Sequence, residues 1–144
     1  EHSSVTDLII LEKVTGTHTV NTLVNFASHI EEIKIQLTTL LKDLRSQGKR
    51  IAGYGAAVGC TTVLYALELE KYIDFLIDDN INRQNRYVPG LQIPVKSPDT
   101  IQETDYIIIL AWQYADPIMK KNQQYLEQGG KFILFLPTLT VIGK

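Results

Sequence analysis

The sequence has little of several features that would point to particular classes of protein. Cys60 is the only cysteine, which excludes an internal disulfide and a thiolate metal site. No apolar run reaches the roughly 18 residues that cross a bilayer, and no signal-peptide pattern is present. The net charge is only −2, so no electrostatic attraction favours nucleic acid or an anionic membrane as a partner. These absences favour a cytoplasmic protein.

Recognisable catalytic and metal-binding patterns are missing as well. His2, His18 and His29 have no metal-ligand spacing with one another or with a carboxylate cluster. Cys60 lies where a predicted helix N-terminus favours a thiolate, but no partner base is recognisable. No pair of residues is recognisable as a general acid and base. We therefore predict neither catalytic residues nor metal ligands in this chain.

The sequence does contain enough apolar residues for one globular domain. Of its 144 residues, 44% are hydrophobic and 21% are charged, as in soluble domains with a full core. The chain does not begin with Met, and we expect it to be a piece of a longer protein. Residues 1–18 are expected to be a linker, with a short strand or an apolar connection at residues 8–11, and residues 19–144 to be the domain.

The pattern of the domain alternates between helix and strand. Apolar residues recur every three or four positions over residues 19–47 and predict a helix of about 28 residues, with Thr19 as its cap and Gly48 after its end. Such a helix either covers the domain or packs part of its apolar face on another domain or subunit. Five strands are predicted after it, at residues 50–54, 73–77, 93–95, 105–111 and 131–136.

Helices are predicted between these strands. One covers residues 58–69, a short one begins at Pro98 and Asp99, and another has Asp116 as N-cap and Pro117 as its first residue. The alternation predicts a Rossmann-like, doubly wound α/β fold with a mostly parallel sheet of about five strands, in the order 3-2-1-4-5. In such a sheet, ligands bind beyond the carboxyl ends of the strands, here between strands one and four.

Residues 49–62 organise this fold, since they read as a strand, a glycine-rich turn and the first turn of a helix. Gly53, Gly55 and Gly59 are spaced one residue wider than the dinucleotide pattern G-x-G-x-x-G. A turn without bulky side chains lets backbone N–H groups approach an anion, and the helix N-terminus adds partial positive charge. We predict that this turn binds the phosphates of a nucleotide-containing ligand, with a purely structural turn as the alternative.

Two strand ends deliver further candidates to the same crevice, Tyr54, Gly55 and Ala56 from strand one and Trp112, Gln113 and Tyr114 from strand four. Trp112 either stacks on a base or sugar, or simply packs. Asp78 and Asp79 follow strand two, where dinucleotide-binding folds keep an acid for ribose hydroxyls. The alternative for Asp79 is that it caps the next turn. Arg83 and Arg86 are candidates for phosphate contacts, although exposed arginines are often only solvated.

Several short segments, taken in order and spacing, carry a family resemblance over roughly residues 19–137. They are Gly53-Tyr54-Gly55-Ala56-Ala57, Asp78-Asp79-Asn80, Gln84 with Arg86-Tyr87, Pro89-Gly90, Ile93-Pro94-Val95, the run at residues 105–112, and Gly129-Gly130-Lys131-Phe132. This series resembles the C-terminal domain of sugar-nucleotide C-methyltransferases. In that family a zinc-binding domain and a central domain that binds S-adenosylmethionine precede the Rossmann-like C-terminal domain.

The resemblance implies a function for the chain. Enzymes of the family transfer a methyl group to a carbon of a keto-deoxysugar linked to a nucleoside diphosphate, after enolisation next to the ketone. The chain is then expected to hold the nucleotide-sugar against the missing upstream domains, which bind S-adenosylmethionine, and to be catalytically incomplete alone. The turn from Gly53 to Thr62, with Gly55, Ala56, Ala57 and Gly59 inside it, is expected to cradle the phosphates, and no cofactor is expected to bind this piece.

The chain departs from the family pattern at four positions. Many members carry a lysine and an asparagine where this chain has Gly59 and Thr61, and a proline and a glycine where it has Ile81 and Asn85. Without that lysine, we expect backbone N–H groups and Thr61 or Thr62 to meet the diphosphate. Two other interpretations stay open: an NAD- or CoA-type nucleotide-binding module, and an interaction domain that binds no ligand.

Overall fold

The protein is described by a computed structural model over residues 3–143, so His2 lies outside the described residues. The chain forms two compact units, Glu1–Glu32 and Ile33–Lys144. Across residues 3–143, no helix is both long and apolar enough to cross a membrane.

The first unit is helical. The interpretation of residues 8–11 as a short strand is wrong, because they lie within a helix. Helix α1 covers Ser3–Thr15, a stretch that contains neither glycine nor proline, so nothing in it interrupts a helix. Gly16, with φ of +69°, follows its end. Helix α2 (Val20–Ser46) begins directly after Thr19, whose side chain accepts a hydrogen bond from the Thr22 N–H at 3.3 Å, as predicted.

The predicted long helix is therefore present as α2, one residue shorter at each end and second in the chain. It has 27 residues. Within the second unit, it buries Ile33, Leu37, Leu41 and Leu44, whose spacing of three and four places them on one face. Gly48, with φ of +73°, ends the helix as predicted, and the Lys49 N–H donates to the Leu44 carbonyl at 3.1 Å.

The second unit is built on one mixed sheet of seven strands. The strands are β1 (Ile51–Tyr54), β2 (Phe75–Ile77), β3 (Arg86–Tyr87), β4 (Pro94–Lys96), β5 (Tyr106–Ile109), β6 (Lys131–Leu134) and β7 (Thr140–Ile142). The order is β3-β4-β2-β1-β5-β6-β7. Its five central strands are parallel and follow the predicted order, whereas β3 and β7 pair antiparallel at the edges.

The edge strands explain why about five strands are predicted and seven are found. β3 has two residues and β7 has three, too few to show an alternating pattern. A turn at Pro89 and Gly90 connects β3 to β4. There the Leu91 N–H donates to the Val88 carbonyl at 3.0 Å and Gly90 has φ of +75°, as a type II turn requires. By contrast, the apolar run of β5 is buried, as predicted for a central strand.

The helices of this unit are α3 (Val58–Ala66), α4 (Ala115–Lys121) and α5 (Gln123–Glu127). Two 3₁₀ helices cover Pro98–Glu103, which has two turns, and Trp112–Tyr114, which has one. The predicted start at Asp116 and Pro117 is wrong, since α4 begins at Ala115 after Tyr114. The single helix predicted there is also interrupted at Asn122, whose side-chain amide donates to the Ile118 carbonyl at 2.8 Å.

Candidate functional site

A cavity of about 300 Å³ lies at the carboxyl ends of β1, β2 and β5. It is lined by Tyr54, Gly55, Ala57, Cys60, Asp78, Asp79, Arg83, Ala111, Tyr114, Pro117, Ile118 and Lys121. These residues come from the glycine turn, the loop after β2, the end of β5 and helix α4. The cavity therefore lies at the switch point of the parallel sheet, where the sequence predicts a ligand crevice.

A second cavity, of about 390 Å³, adjoins the first. The two share Ala57, Cys60, Ala111 and Tyr114, and the second adds Gly59, Leu110, Trp112 and Gln113. Trp112 is 46% exposed, so much of its indole is open to solvent rather than packed in the core. The glycine turn and the indole consequently border one continuous surface.

The glycine turn uses part of its own hydrogen-bonding capacity. The Gly55 N–H donates to the Ile77 carbonyl at 2.7 Å, and the Ala56 N–H donates to Asp78 Oδ2 at 2.7 Å. These two amides belong to the predicted phosphate cradle, and they already have protein acceptors. The expectation that the whole turn offers its amides to an anion is therefore wrong for Gly55 and Ala56.

The remaining donors lie one step further along, at the start of α3. Ala57 is the N-cap residue and makes no side-chain capping hydrogen bond. The first N–H to reach a carbonyl within the helix is that of Thr61, which donates to Ala57 at 3.1 Å. A Cβ added to Gly59 would meet nothing within 4 Å. The amide groups of Val58, Gly59 and Cys60 therefore form the anion-attracting end of α3.

Asp78 holds the turn together. It is 5% exposed, and it accepts hydrogen bonds from the N–H groups of Ala56 and Asn80 at 2.7 and 2.8 Å. Arg83 Nη1 lies 3.1 Å from Asp78 Oδ2. With these partners, the Asp78 carboxylate fixes the turn and the following loop in place. The ribose contact expected of Asp78 has no support in this arrangement.

Asp79 faces the cavity and has two partners from other elements. Tyr54 Oη donates to Asp79 Oδ1 at 3.1 Å, and Lys121 Nζ of α4 forms an ion pair with the same oxygen. Burial raises the pKa of Tyr54 to about 12, and the negative charge of Asp79 adds to this effect. Tyr54 is thus a protonated donor at neutral pH.

The comparison with known families adds to this geometry. The family described as the C-methyltransferase C-terminal domain matches residues 1–137. The chain belongs to this family. The resemblance read from the sequence is thereby confirmed.

Two individual proteins are also similar. C-methyltransferase NovU from Streptomyces niveus is 32% identical over 142 residues, which cover 96% of this chain and 34% of NovU. The chain thus spans about a third of the length of that relative. Among solved structures, UDP-D-quinovosamine 4-dehydrogenase from Vibrio fischeri matches 66% of this chain and 93% of its own, with a TM-score of 0.49 and 13% identity.

Three other predicted residues of this family member lie away from the cavity pair. The Thr61 and Thr62 hydroxyls donate back to the carbonyls of Ala57 and Val58, at 3.5 and 3.3 Å, and neither residue lines the two cavities. Arg86 lines a separate cavity of about 180 Å³, together with Ala56 and Arg83.

Cys60 is buried, and burial raises the pKa of its thiol despite its position at the helix N-terminus. The helix N-terminus favours a thiolate, but burial removes the solvent that would stabilise its charge. No nucleophile is assigned to this site.

Sequence reasoning missed Lys121. It lies far along the chain from Asp79, on a helix whose predicted start is wrong and whose end at Lys121 was not predicted. The signal that was available is topological: the helix that follows a strand adjoining the switch point passes the same crevice.

Proposed function

We propose that this chain is the substrate-side domain of an S-adenosylmethionine-dependent C-methyltransferase that acts on a nucleoside-diphosphate keto-deoxysugar. The observation that carries the proposal is the pair of adjoining cavities at the switch point. One contains Arg83 and Lys121, and the other contains the half-exposed Trp112. The uncapped start of α3 borders both. Cations, amide donors and an indole on one surface suit a diphosphate joined to a base.

S-adenosylmethionine is assigned to the upstream part of the full-length enzyme. A site for the adenosine ribose at this turn needs a carboxylate at the end of β2 that is available to hydroxyls. Asp78 instead accepts from Ala56, Asn80 and Arg83. Asp78 is therefore not available to a ribose, whereas Asp79 lines the cavity and is about half exposed. The assignment of S-adenosylmethionine to the upstream part accordingly rests on the family resemblance.

The proposed partner of the first unit is the upstream methyltransferase region of the same polypeptide. The matched relative is about three times as long as the segment it shares with this chain. Large apolar side chains of α1 and of the start of α2 are exposed, among them Ile10, Leu11, Leu23 and Phe26. Exposed apolar surface of this extent is typical of an interface. The full enzyme is proposed to act in the cytoplasm.

Calorimetry on this chain and on the full-length protein tests the proposal. We expect dTDP-sugars or UDP-sugars to bind both proteins. S-adenosylmethionine is expected to bind only the full-length protein, and this chain alone is expected to transfer no methyl group. Micromolar binding of S-adenosylmethionine to this chain would contradict the proposal. Binding of NAD or coenzyme A to this chain, with no binding of either nucleotide-sugar, would also contradict it.

A further inference from the structure

The two cations of the 300 Å³ cavity are held by different kinds of carboxylate. Arg83 pairs with Asp78, which is buried and also accepts from two backbone amides. Lys121 pairs with Asp79 across the cavity, and the two side chains are 53% and 48% exposed. An exposed ion pair of this kind contributes little to stability. Lys121 is therefore the cation that can change partner at little cost.

Asp79 does not depend on Lys121 for a donor. Tyr54 Oη also donates to Asp79 Oδ1, at 3.1 Å. Because Tyr54 is buried and its pKa is raised to about 12, the hydroxyl keeps its proton at neutral pH. The Asp79 carboxylate thus retains a hydrogen bond and its solvent contact when the ammonium group leaves.

The start of α3 lies on the same cavity as Lys121, and its backbone N–H groups would attract an anion there. The cavity is bordered by Ala57 and Cys60 at this helix start, where the helix dipole attracts negative charge. A phosphate placed there accepts charge-assisted hydrogen bonds, which are roughly twice as strong as neutral ones.

We propose that Lys121 leaves Asp79 and binds the diphosphate of the nucleotide, so that it determines how strongly this domain prefers a diphosphate to a nucleoside. The inference rests on the proposed function. It assigns Lys121 to phosphate recognition and Asp79 to holding the lysine at the cavity before the ligand arrives.

The test compares variants of the chain by calorimetry with thymidine diphosphate and uridine diphosphate, each against its own nucleoside. Lys121→Gln removes the charge and keeps most of the side-chain length. Lys120→Gln is the matched control, because Lys120 is the exposed neighbour on the same helix and does not line the cavity. Asp79→Asn removes the competing carboxylate charge.

We expect Lys121→Gln to weaken diphosphate binding about tenfold, equivalent to about 1.4 kcal/mol, and to leave nucleoside binding unchanged. Lys120→Gln should alter neither, and Asp79→Asn should tighten diphosphate binding about two- to fivefold by releasing Lys121. The inference is overturned if Lys121→Gln and Lys120→Gln have equal affinities while the unchanged chain binds the diphosphate; the proposed function then still stands. If the unchanged chain binds no nucleotide, both fail together.

Discussion

At the scale of single residues, Gly55 and Gly59 have different roles in the same turn. Gly55 has φ of +112°, and an added Cβ would lie 2.9 Å from both Ala111 Cβ and Cys60 Sγ. Gly59 has open space around it. Only the first glycine is therefore required by the backbone and by packing.

Gly55→Ala is expected to lower the free energy of unfolding by about 2–4 kcal/mol, from backbone strain together with overpacking. Gly59→Ala should be neutral or stabilising by up to about 1 kcal/mol, because alanine is the better helix residue. Urea unfolding of the two variants measures both effects. Equal stabilities for the two variants would show that the turn is not constrained as described.

Asp78 and Asp79 are adjacent in sequence and differ in function. We expect Asp78→Asn to destabilise the fold by about 2–4 kcal/mol, because a buried carboxylate with a cationic partner is replaced by a neutral group. Asp79→Asn should change stability by less than about 1 kcal/mol, since its ion pair is exposed. Thermal unfolding of the two variants is the measurement, and a reversed order would contradict the assignment of Asp78 to the turn.

Two buried tyrosines make stability depend on alkaline pH. Burial raises the pKa of both Tyr54 and Tyr125 to about 12, against about 10 in an unfolded chain. The folded state holds these protons more tightly, so their contribution is complete below about pH 10 and is lost as pH rises to about 12. Urea unfolding at several pH values should show this fall, and Tyr54→Phe should make it smaller. An unchanged pH dependence in that variant would rule out the role given to Tyr54.

At the scale of elements, α2 buries apolar side chains in its second half and exposes them near its start. Leu37 is 0% exposed, whereas Leu23, on the same helix in the first unit, is 59% exposed. Leu37→Ala should cost about 2–5 kcal/mol through lost burial and a cavity. Leu23→Ala should cost less than about 0.5 kcal/mol in this chain. Chemical denaturation of the two variants compares them, and similar losses would mean that Leu23 is buried in solution.

The elements also show what the sequence can predict. The parallel strands β1, β2, β4, β5 and β6 follow from apolar runs and turn residues, which are local signals. Their order follows from the doubly wound fold class that the alternation of helix and strand predicts. The edge strands β3 and β7 depend on pairing with a neighbour and leave no such signal. The interruption at Asn122, whose side-chain amide and backbone N–H both donate to the Ile118 carbonyl, cannot be read from periodicity.

The candidate site divides in the same way. Its location follows from the topology of the sheet, and Tyr54, Gly55 and Trp112 do lie along the two adjoining cavities. The partners that Asp78 and Asp79 find in Ala56 and Lys121 are not predictable from spacing, because both lie far from them along the chain. The sequence pattern predicts where the site lies, whereas only the folded structure shows which polar groups already have hydrogen-bond partners.

At the scale of the whole molecule, the chain belongs to the C-methyltransferase C-terminal domain family and spans about a third of the length of its matched relative. The apolar residues exposed in its first unit are proposed to meet the upstream region. The cavities of the second unit are proposed to meet the nucleotide-sugar. The nucleotide is proposed to bind at the start of α3 beside Trp112.

The most direct test is nitrogen-15 NMR of this chain during titration with a dTDP-sugar or UDP-sugar. We expect the largest chemical-shift changes at the amides of Val58, Gly59 and Cys60 and at the Trp112 indole N–H. Residues 87–94, which run from β3 to β4 and line neither of the two cavities, should change little. Chemical-shift changes confined to residues 87–94, or none at millimolar ligand, would contradict binding of the nucleotide at the start of α3.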